Sequence, residues 1–405
     1  MRLNVLYEGR RVGQLLDRSG RHFFEYDVSF IADPVPLSPI HLPVRRGVFE
    51  HPDGAFLGLP GLFYDSLPDR FGMAVLRRHF RERRETSPTP LQILSFLGQR
   101  TMGALTYEPA VGDANQNREV ALVEAARSAR QLLAHEHQGA LDPAIIASGA
   151  TAGGAMPKVL VAMNEDASQI VTGADHIPDG MQPWLVKLDT SGATETSKCR
   201  LEFAYSKMAT DCGLRIPPTR LITDTQDGLH FAIRRFDRSE SNPNQRRHTH
   251  TYAGLFHLDF RDPGLDYADL LRHTRALTAS EPEVREQFKR MLFNLLAHNR
   301  DDHAKNFSFR LSPSGDWTVS PAYDLIFSET DLGGNWMLLN GKRGRITRED
   351  LRQLADTHSI PPAFFEETLE TLQSTLAHWP DYAADVGLGP GLTATIDQAI
   401  RNLRV

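Results

Sequence analysis

His298-Asn299-Arg300-Asp301-Asp302-His303-Ala304-Lys305-Asn306 is polar for nine residues and follows directly on the apolar run 288–297. A polar stretch at the end of a core helix marks a place where side chains are held for chemistry rather than for packing. Downstream, residues 307–319 read as a hairpin and lead to Ser320-Pro321-Ala322-Tyr323-Asp324-Leu325. Apolar periodicity predicts helices over 267–276, 283–298, 347–357, 363–376 and 393–403, and Thr347 with Asp350 has capping-box spacing. Beyond Asp237 the chain therefore reads as helical. Residues 239–250, polar and rich in Arg and His, are expected to form a mobile loop.

The other half reads differently. Apolar stretches at 3–7, 12–16 and 23–31 are separated by Gly9-Arg10 and Ser19-Gly20, the punctuation of an antiparallel sheet. Pro34, Pro36, Pro39 and Pro43 make an extended connector. Pro68-Asp69 opens a basic helix to about 84, and Thr89-Pro90 opens another to 97. A polar helix over 118–137 leads to Ser148-Gly149-Ala150-Thr151-Ala152-Gly153-Gly154-Ala155-Met156-Pro157-Lys158 and a strand at 159–163. A second strand at 184–188 carries Lys187; a helix from 196 or 197 to Cys212 follows, stopped by Gly213 and Pro217-Pro218, then strands at 219–223 and 229–236. The fold class is α+β, with a β-rich half before a helical half, the gross layout of a two-lobed kinase. The expected divisions are 1–110 for an N-terminal accessory region, 111–236 for the β-rich lobe and 237–405 for the helical lobe.

Composition narrows the function classes. With 40% hydrophobic and 24% charged residues the chain folds rather than remaining disordered. Forty-five basic against 51 acidic side chains give a net charge of -6, so no global positive field holds a nucleic-acid backbone. Two cysteines, Cys199 and Cys212, argue against structural zinc or a disulfide framework. Charge interrupts the first ten residues too early for a signal peptide, and no apolar run approaches membrane-spanning length, so a cytoplasmic location with no membrane partner is expected. The arginines at 70, 77, 78, 81, 83 and 84 are interleaved with Glu82 and Glu85, as on a solvated helix face. Arg246-Arg247-His248 is read as solvating its loop.

Asp301 and Asn306 lie five apart, and Asp324 follows. Phosphoryl transfer needs a carboxylate to deprotonate the attacking hydroxyl, an amide oxygen on magnesium, and a second carboxylate bridging metal to phosphates. These three residues supply that set in the order D-x-x-x-x-N then D. Asp302 and His303 could belong to a transition-metal cluster, but no further His, Cys or Glu stands at ligand spacing. His303 is expected to hydrogen-bond beneath Asp301; His298 has no assigned role. In the small-residue loop 148–158, glycines would let backbone N–H groups approach phosphates, with Lys158 adding charge, although no Walker A spacing is present. Lys187, on an otherwise apolar strand, needs a partner such as phosphate oxygens or a carboxylate, and Glu202 is a candidate. Arg234 and Phe236 join the two halves where a kinase hinge would hold adenine.

On these residues the sequence resembles the HipA family of kinase toxins from bacterial toxin–antitoxin pairs, over nearly its whole length. Leu67-Pro68-Asp69-Arg70-Phe71-Gly72 and the opening sheet are similar to the family's N-terminal region. The stretch from Gly153 and Gly154 to Lys158 is similar to its glycine-rich loop, 231–238 to its strand into R-F-D-R, and Asp301 to Asn306 to its D-x-H-A-K-N loop. The resemblance implies an ATP- and Mg²⁺-dependent serine/threonine kinase with Asp301 as catalytic base, Asn306 and Asp324 as metal ligands, and Lys187 on the ATP phosphates. It implies autophosphorylation at Thr151, with Ser148 the other nearby hydroxyl. It also implies a helix-turn-helix antitoxin as partner, DNA contacted only through that antitoxin, and a translation component such as an aminoacyl-tRNA synthetase as substrate. Arg234 stands where the family often has an acidic residue, and 251–260 is similar to a subgroup. A small-molecule kinase of aminoglycoside-phosphotransferase type and a non-catalytic kinase-fold scaffold or repressor are the rival readings.

Overall fold

Alternation builds the first sheet. In β1 (Arg2–Tyr7) Leu3, Val5 and Tyr7 are buried while their neighbours are not, so one face meets the core and the other meets water. The computed structural model that carries this sheet describes residues 1–51, 54–83, 87–111, 118–134, 141–149, 154–173, 176–190, 197–226 and 228–402. Strands β2 (Arg10–Arg18), β3 (Arg21–Tyr26), β4 (Val48–Glu50) and β5 (Leu105–Glu108) complete an antiparallel order β4-β3-β2-β1-β5. Both hairpins turn through paired positive φ, at Glu8-Gly9 (50° and 77°) and Ser19-Gly20 (54° and 79°), the geometry that matches strand twist. Helices α1 (Val28–Ala32), α2 (Gly61–Tyr64), α3 (Arg70–Glu82) and α4 (Pro90–Leu97) belong to this region; Thr89 and Gln92 form a capping box on α4.

After α5 (Leu122–Leu133) comes a second sheet of β6 (Lys158–Met163), β7 (Ile170–Thr172), β8 (Gln182–Lys187), β9 (Thr219–Thr223) and β10 (Leu229–Arg234), in the order β7-β6-β8-β10-β9. Every residue of β6 is buried. Helix α6 (Lys198–Asp211), capped by the Ser197 side chain, packs against β9 and β10. The expected helix over 118–137 is shorter, because Val120 N donates to Ile170 O at 2.8 Å and Glu119 bridges Val171, drawing these residues to the sheet. β7 has only three residues, too few for periodicity to announce it.

The remainder comprises β11 (His248–Thr251), α7 (Tyr252–Phe256), α8 (Tyr267–Thr278), α9 (Glu281–Leu296), β12 (Ser308–Leu311), β13 (Trp317–Val319), α10 (Arg348–Thr357), α11 (Pro362–Leu376), α12 (Trp379–Asp385) and α13 (Pro390–Asn402). The expected hairpin is present and gains β11 as a third strand. α12, which the sequence reading did not include, carries Pro380 in its first turn, where proline is tolerated. One apolar core runs through all three parts of the chain.

The expected mobile loop is instead tied down. Arg246 donates to the carbonyls of Gln99, Thr101 and Gly103, Arg247 N donates to Asp237 O at 2.9 Å, and His248 is buried. Charged side chains that look solvated in the sequence here satisfy backbone carbonyls of the N-terminal region. Beneath them Asp237, 1% exposed, accepts from Arg235 Nε at 2.9 Å and Nη2 at 2.7 Å and from Gly103 N at 2.8 Å.

Burial alone would raise the Asp237 carboxyl, but Arg235 and Arg238 hold it well below the ordinary carboxylate value. Asp237→Ala should cost about 3–5 kcal/mol, because a buried guanidinium is left unpaired. Since the folded-state value is depressed, this stabilisation is present above about pH 4 and fades as the pH falls further. Denaturant melts of both proteins at neutral and acid pH check this: the gap should be large at neutral pH and narrow in acid.

Candidate active site

β8 is the middle strand of its sheet, so Lys187 stands far from any edge. In register it lies opposite Lys158 of β6 on one side and Phe231 of β10 on the other, which puts all three side chains on one face. The two lysines are 4% and 5% exposed. Like charges facing each other across buried strands are unfavourable unless anions lie between or beside them.

Carboxylates from two other elements supply part of that balance. Lys187 Nζ donates to Glu202 on α6, at 2.5 Å to Oε1 and 2.7 Å to Oε2, and to Asp324 Oδ1 at 2.5 Å. Burial opposes the charge of Lys187, yet Asp324 and Glu202 together raise its ammonium above the usual lysine value. Asp324 is held well below the carboxylate range, Lys187 and Lys158 outweighing its burial. Glu202 is pushed up to about 7 by burial, against the pull of Lys187. Lys158 is lowered to about 8 by burial and then by the charge of Lys187. Asp324 sits at φ 58°, a left-handed conformation that a side-chain-bearing residue keeps only when its surroundings hold it. Its neighbour Tyr323 donates to Lys305 O at 2.7 Å and shares a 2.6 Å hydrogen bond with Ser308 Oγ.

The polar run after α9 is anchored by a residue to which the sequence assigned no part. Asp302 is fully buried and accepts from the Tyr267 hydroxyl, from Asn335 Nδ2 at 3.0 Å and from Trp336 N at 2.6 Å. With Asp302 turned inward, Asp301 faces the cavity, its side chain 57% exposed. The cavity walls still desolvate Asp301 enough to raise its carboxyl; the charge of Asp324 adds to the rise, while His303 opposes it. His303 Nε2 lies 3.8 Å from Asp301 Oδ1, beyond hydrogen-bond reach, and its ring packs edge-on to Phe260. The expected hydrogen bond beneath Asp301 is therefore absent. Asn306 Nδ2 donates to Asp301 O at 2.7 Å and ties the two ends of the loop together.

These groups line one cavity of about 420 Å³, within the usual range for small-molecule sites. Gly154, Lys158, Lys187, Arg234, Phe236, Asp301, Asn306 and Asp324 all contribute to it. Gly154 has φ 96°, a backbone conformation that favours glycine, and a Cβ there would fall 2.3 Å from Lys158 Nζ, so a side chain would displace the tip of the lysine. Phe236 packs against Tyr323 with centroids 5.5 Å apart, and Arg234 Nη2 donates to Gln182 Oε1 at 2.5 Å. Ser148 is buried and donates to Ala144 O at 2.7 Å. Thr151 and Gly153 lie outside the described residues. Sequence reasoning also missed Asp69 and Lys305: the first was quoted only as part of Leu67-Pro68-Asp69-Arg70-Phe71-Gly72 and read as opening α3, the second only as a member of the polar run. Nothing in their spacing shows that they meet across 236 positions.

The HipA-like C-terminal domain model matches residues 150–379, and the HipA N-terminal domain model matches residues 3–108. A putative kinase of Sinorhizobium fredii is 25% identical over 428 residues, spanning 98% of this chain and 95% of the relative. HipA of Shewanella oneidensis, solved in complex with HipB and operator DNA, superposes with a TM-score of 0.71 at 17% identity, over 98% of this chain and 95% of that one, and thus shares its fold. Across both of its parts, the chain belongs to the HipA family of toxin kinases.

Proposed function

We propose that this protein is an ATP- and Mg²⁺-dependent serine/threonine protein kinase that acts as the toxin of a toxin–antitoxin pair. The observation that carries the reading is Lys187 held between Glu202 and Asp324. A strand lysine paired to a helix glutamate, beside an aspartate placed for metal, is the arrangement a protein kinase must assemble before it can transfer phosphate.

The donor set fits the nucleotide. Two opposed lysines suit a polyphosphate, and Leu185, Ile233 and Phe236 give the cavity an apolar end suited to a base. Lys158, Lys187 and the loop at Gly154 would hold the phosphates, and Asn306 and Asp324 would hold magnesium. Held by these two residues, the metal would offset the negative charge on the transferring group. Asp301 orients the acceptor hydroxyl and takes its proton, so catalysis rests on positioning and charge. Thr151, within the small-residue loop 148–158, is the proposed autophosphorylation site. Ser148 could serve only after leaving its bond to Ala144. The proposed partner is a helix-turn-helix antitoxin, by analogy with the Shewanella complex, with DNA reached through it; the proposed target is a translation component such as an aminoacyl-tRNA synthetase.

Incubation with labelled ATP and Mg²⁺, alone and in cell extract, tests the reading. Label should appear on the protein itself and on one extract protein. Asp301→Asn should abolish both while leaving nucleotide binding nearly unchanged. Label on an aminoglycoside or sugar and on no protein would instead establish a small-molecule kinase, and ATP binding without any transfer would establish a scaffold.

The pH dependence has two arms. Because the Asp301 carboxyl is raised and must be ionised to accept a proton, kcat/KM should start to fall, as pH decreases, earlier than for an ordinary aspartate. Because Lys158 loses its proton near pH 8, affinity for a non-hydrolysable ATP analogue should weaken above that pH. Lys158→Met should bind about 10- to 100-fold more weakly below pH 8 and lose that alkaline limb, so that the gap narrows at higher pH, as calorimetric titration across pH would show.

A further inference from the structure

Asp69 stands at the N-cap of α3, yet its side chain makes no capping bond to that helix. Its carboxylate is used elsewhere. Oδ2 accepts from Gly154 N at 2.7 Å, at the end of the small-residue loop, and Oδ1 accepts from Lys305 Nζ, in the loop that carries Asp301 and Asn306. The Asp69 and Lys305 side chains are 23% and 11% exposed. The Lys305 ammonium also lies 5.2 Å from the Tyr64 ring centre and 5.1 Å from that of Phe260. Burial would raise the Asp69 carboxyl, but Lys305 and the Gly154 amide hold it below the ordinary value, so it is ionised at neutral pH.

The segment before Asp69 is held by several contacts. Four residues earlier Asp65 accepts from Thr251 N at 2.7 Å and Thr251 Oγ1 at 2.8 Å, and its Oδ2 lies 2.5 Å from His250 Nδ1. α2 presses on α7 so closely that a Cβ on Gly61 would fall 1.9 Å from Gly254 O. The segment from Gly61 to Asp69 is thus docked on the helical lobe, while Gly154 leads into β6 of the other lobe.

We infer that Asp69 is a positioning residue for phosphoryl transfer, its single carboxylate joining the small-residue loop to the catalytic loop and so fixing the span across which phosphate would pass. The inference rests on the reading of this cavity as a phosphoryl-transfer site. Lys305 is the relay: its carbonyl accepts from Tyr323, next to Asp324, and its chain neighbour is Asn306. One ion pair from the N-terminal region therefore reaches both proposed metal ligands, which gives that region a part in the chemistry.

The test uses the full-length protein and reads kcat, KM for ATP and thermal midpoint separately. Asp69→Asn keeps an acceptor for Gly154 N and removes the charge that holds Lys305. It should lower kcat by about 10- to 100-fold, the effect of a displaced catalytic group, with KM for ATP within about threefold of wild type. Lys305→Gln breaks the same pair from the other side and should match it, which keeps the test open if Asp69→Asn does not fold. The reversed pair, Asp69→Lys with Lys305→Asp, should recover part of kcat. A fall in thermal midpoint with kcat unchanged would make the pair a purely structural tether and overturn the inference. Wild-type protein that binds ATP but transfers nothing would sink the site reading and this inference together, whereas active wild type with fully active Asp69 variants would sink this inference alone.

Discussion

The ammonium of Lys187 is the point at which three separate pieces of chain meet. It belongs to β8, and its carboxylate partners come from α6 and from the segment after β13; Lys187 and Glu202 are nearly removed from water, while the Asp324 side chain is 34% exposed. A charge in that position is tolerable only while its partners are in place; breaking such a pair costs about 3–5 kcal/mol. The consequence is geometric as much as energetic. α6 must lie at one distance from the sheet, which the Ser197 cap and its 2.8 Å bond to Asp189 help to set, and Asp324 must keep its left-handed backbone. The lobes are thus coupled through the same group that would hold nucleotide phosphates.

A second tie, independent of the first, runs through the N-terminal region. Arg246 and Asp237 grip residues 99–103, while Asp65 and Asp69 grip the helical lobe and both loops of the cavity. A region attached only as an accessory would be joined by apolar contact and a linker. Here it offers backbone groups to the charges at the strand exit, and its own carboxylates to the cap of α7 and to the catalytic loop. Its shape and the shape of the cavity are therefore not separable.

The elements of this fold were legible wherever a physical signal was local. Alternation at 3–7, positive-φ turns at Gly9 and Gly20, the Thr347 capping box and the long apolar helix before His298 all correspond to observed elements. Likewise Lys187, Asp301, Asn306 and Asp324, recognised by residue type and spacing, converge on one cavity. What escaped was long-range or deceptive. β11, His248-Thr249-His250-Thr251, is polar in sequence, yet both histidines are buried: His248 Nε2 bonds Leu37 O at 2.7 Å and His250 bonds Asp65. Asp302, weighed with His303 only as a metal ligand, is instead the buried anchor of the loop that carries Asp301. Asp69 reads as an N-cap and does not cap. In each case the partner is far along the chain, and no window of sequence contains it.

The charges inside the cavity bear on the anion proposed for it. Lys158 and Lys187 bring two positive charges to one face of the sheet, opposed by Asp324, which stays ionised, and by Glu202, whose value near 7 leaves it only partly so at neutral pH. Two ammonium groups thus face Asp324 and Glu202 directly, while Asp69 and Asp301 stand elsewhere on the same cavity wall. Burial magnifies any local imbalance, since a low local dielectric strengthens each unbalanced charge. A polyphosphate would meet the two ammonium groups directly. Lys187 is already bonded, but its described bond to Asp324 uses Oδ1 alone, which leaves Oδ2 of the same carboxylate to meet a cation brought in with the phosphates. The lysine that would hold the phosphates and the carboxylate that would hold their metal are thus set in place by one another.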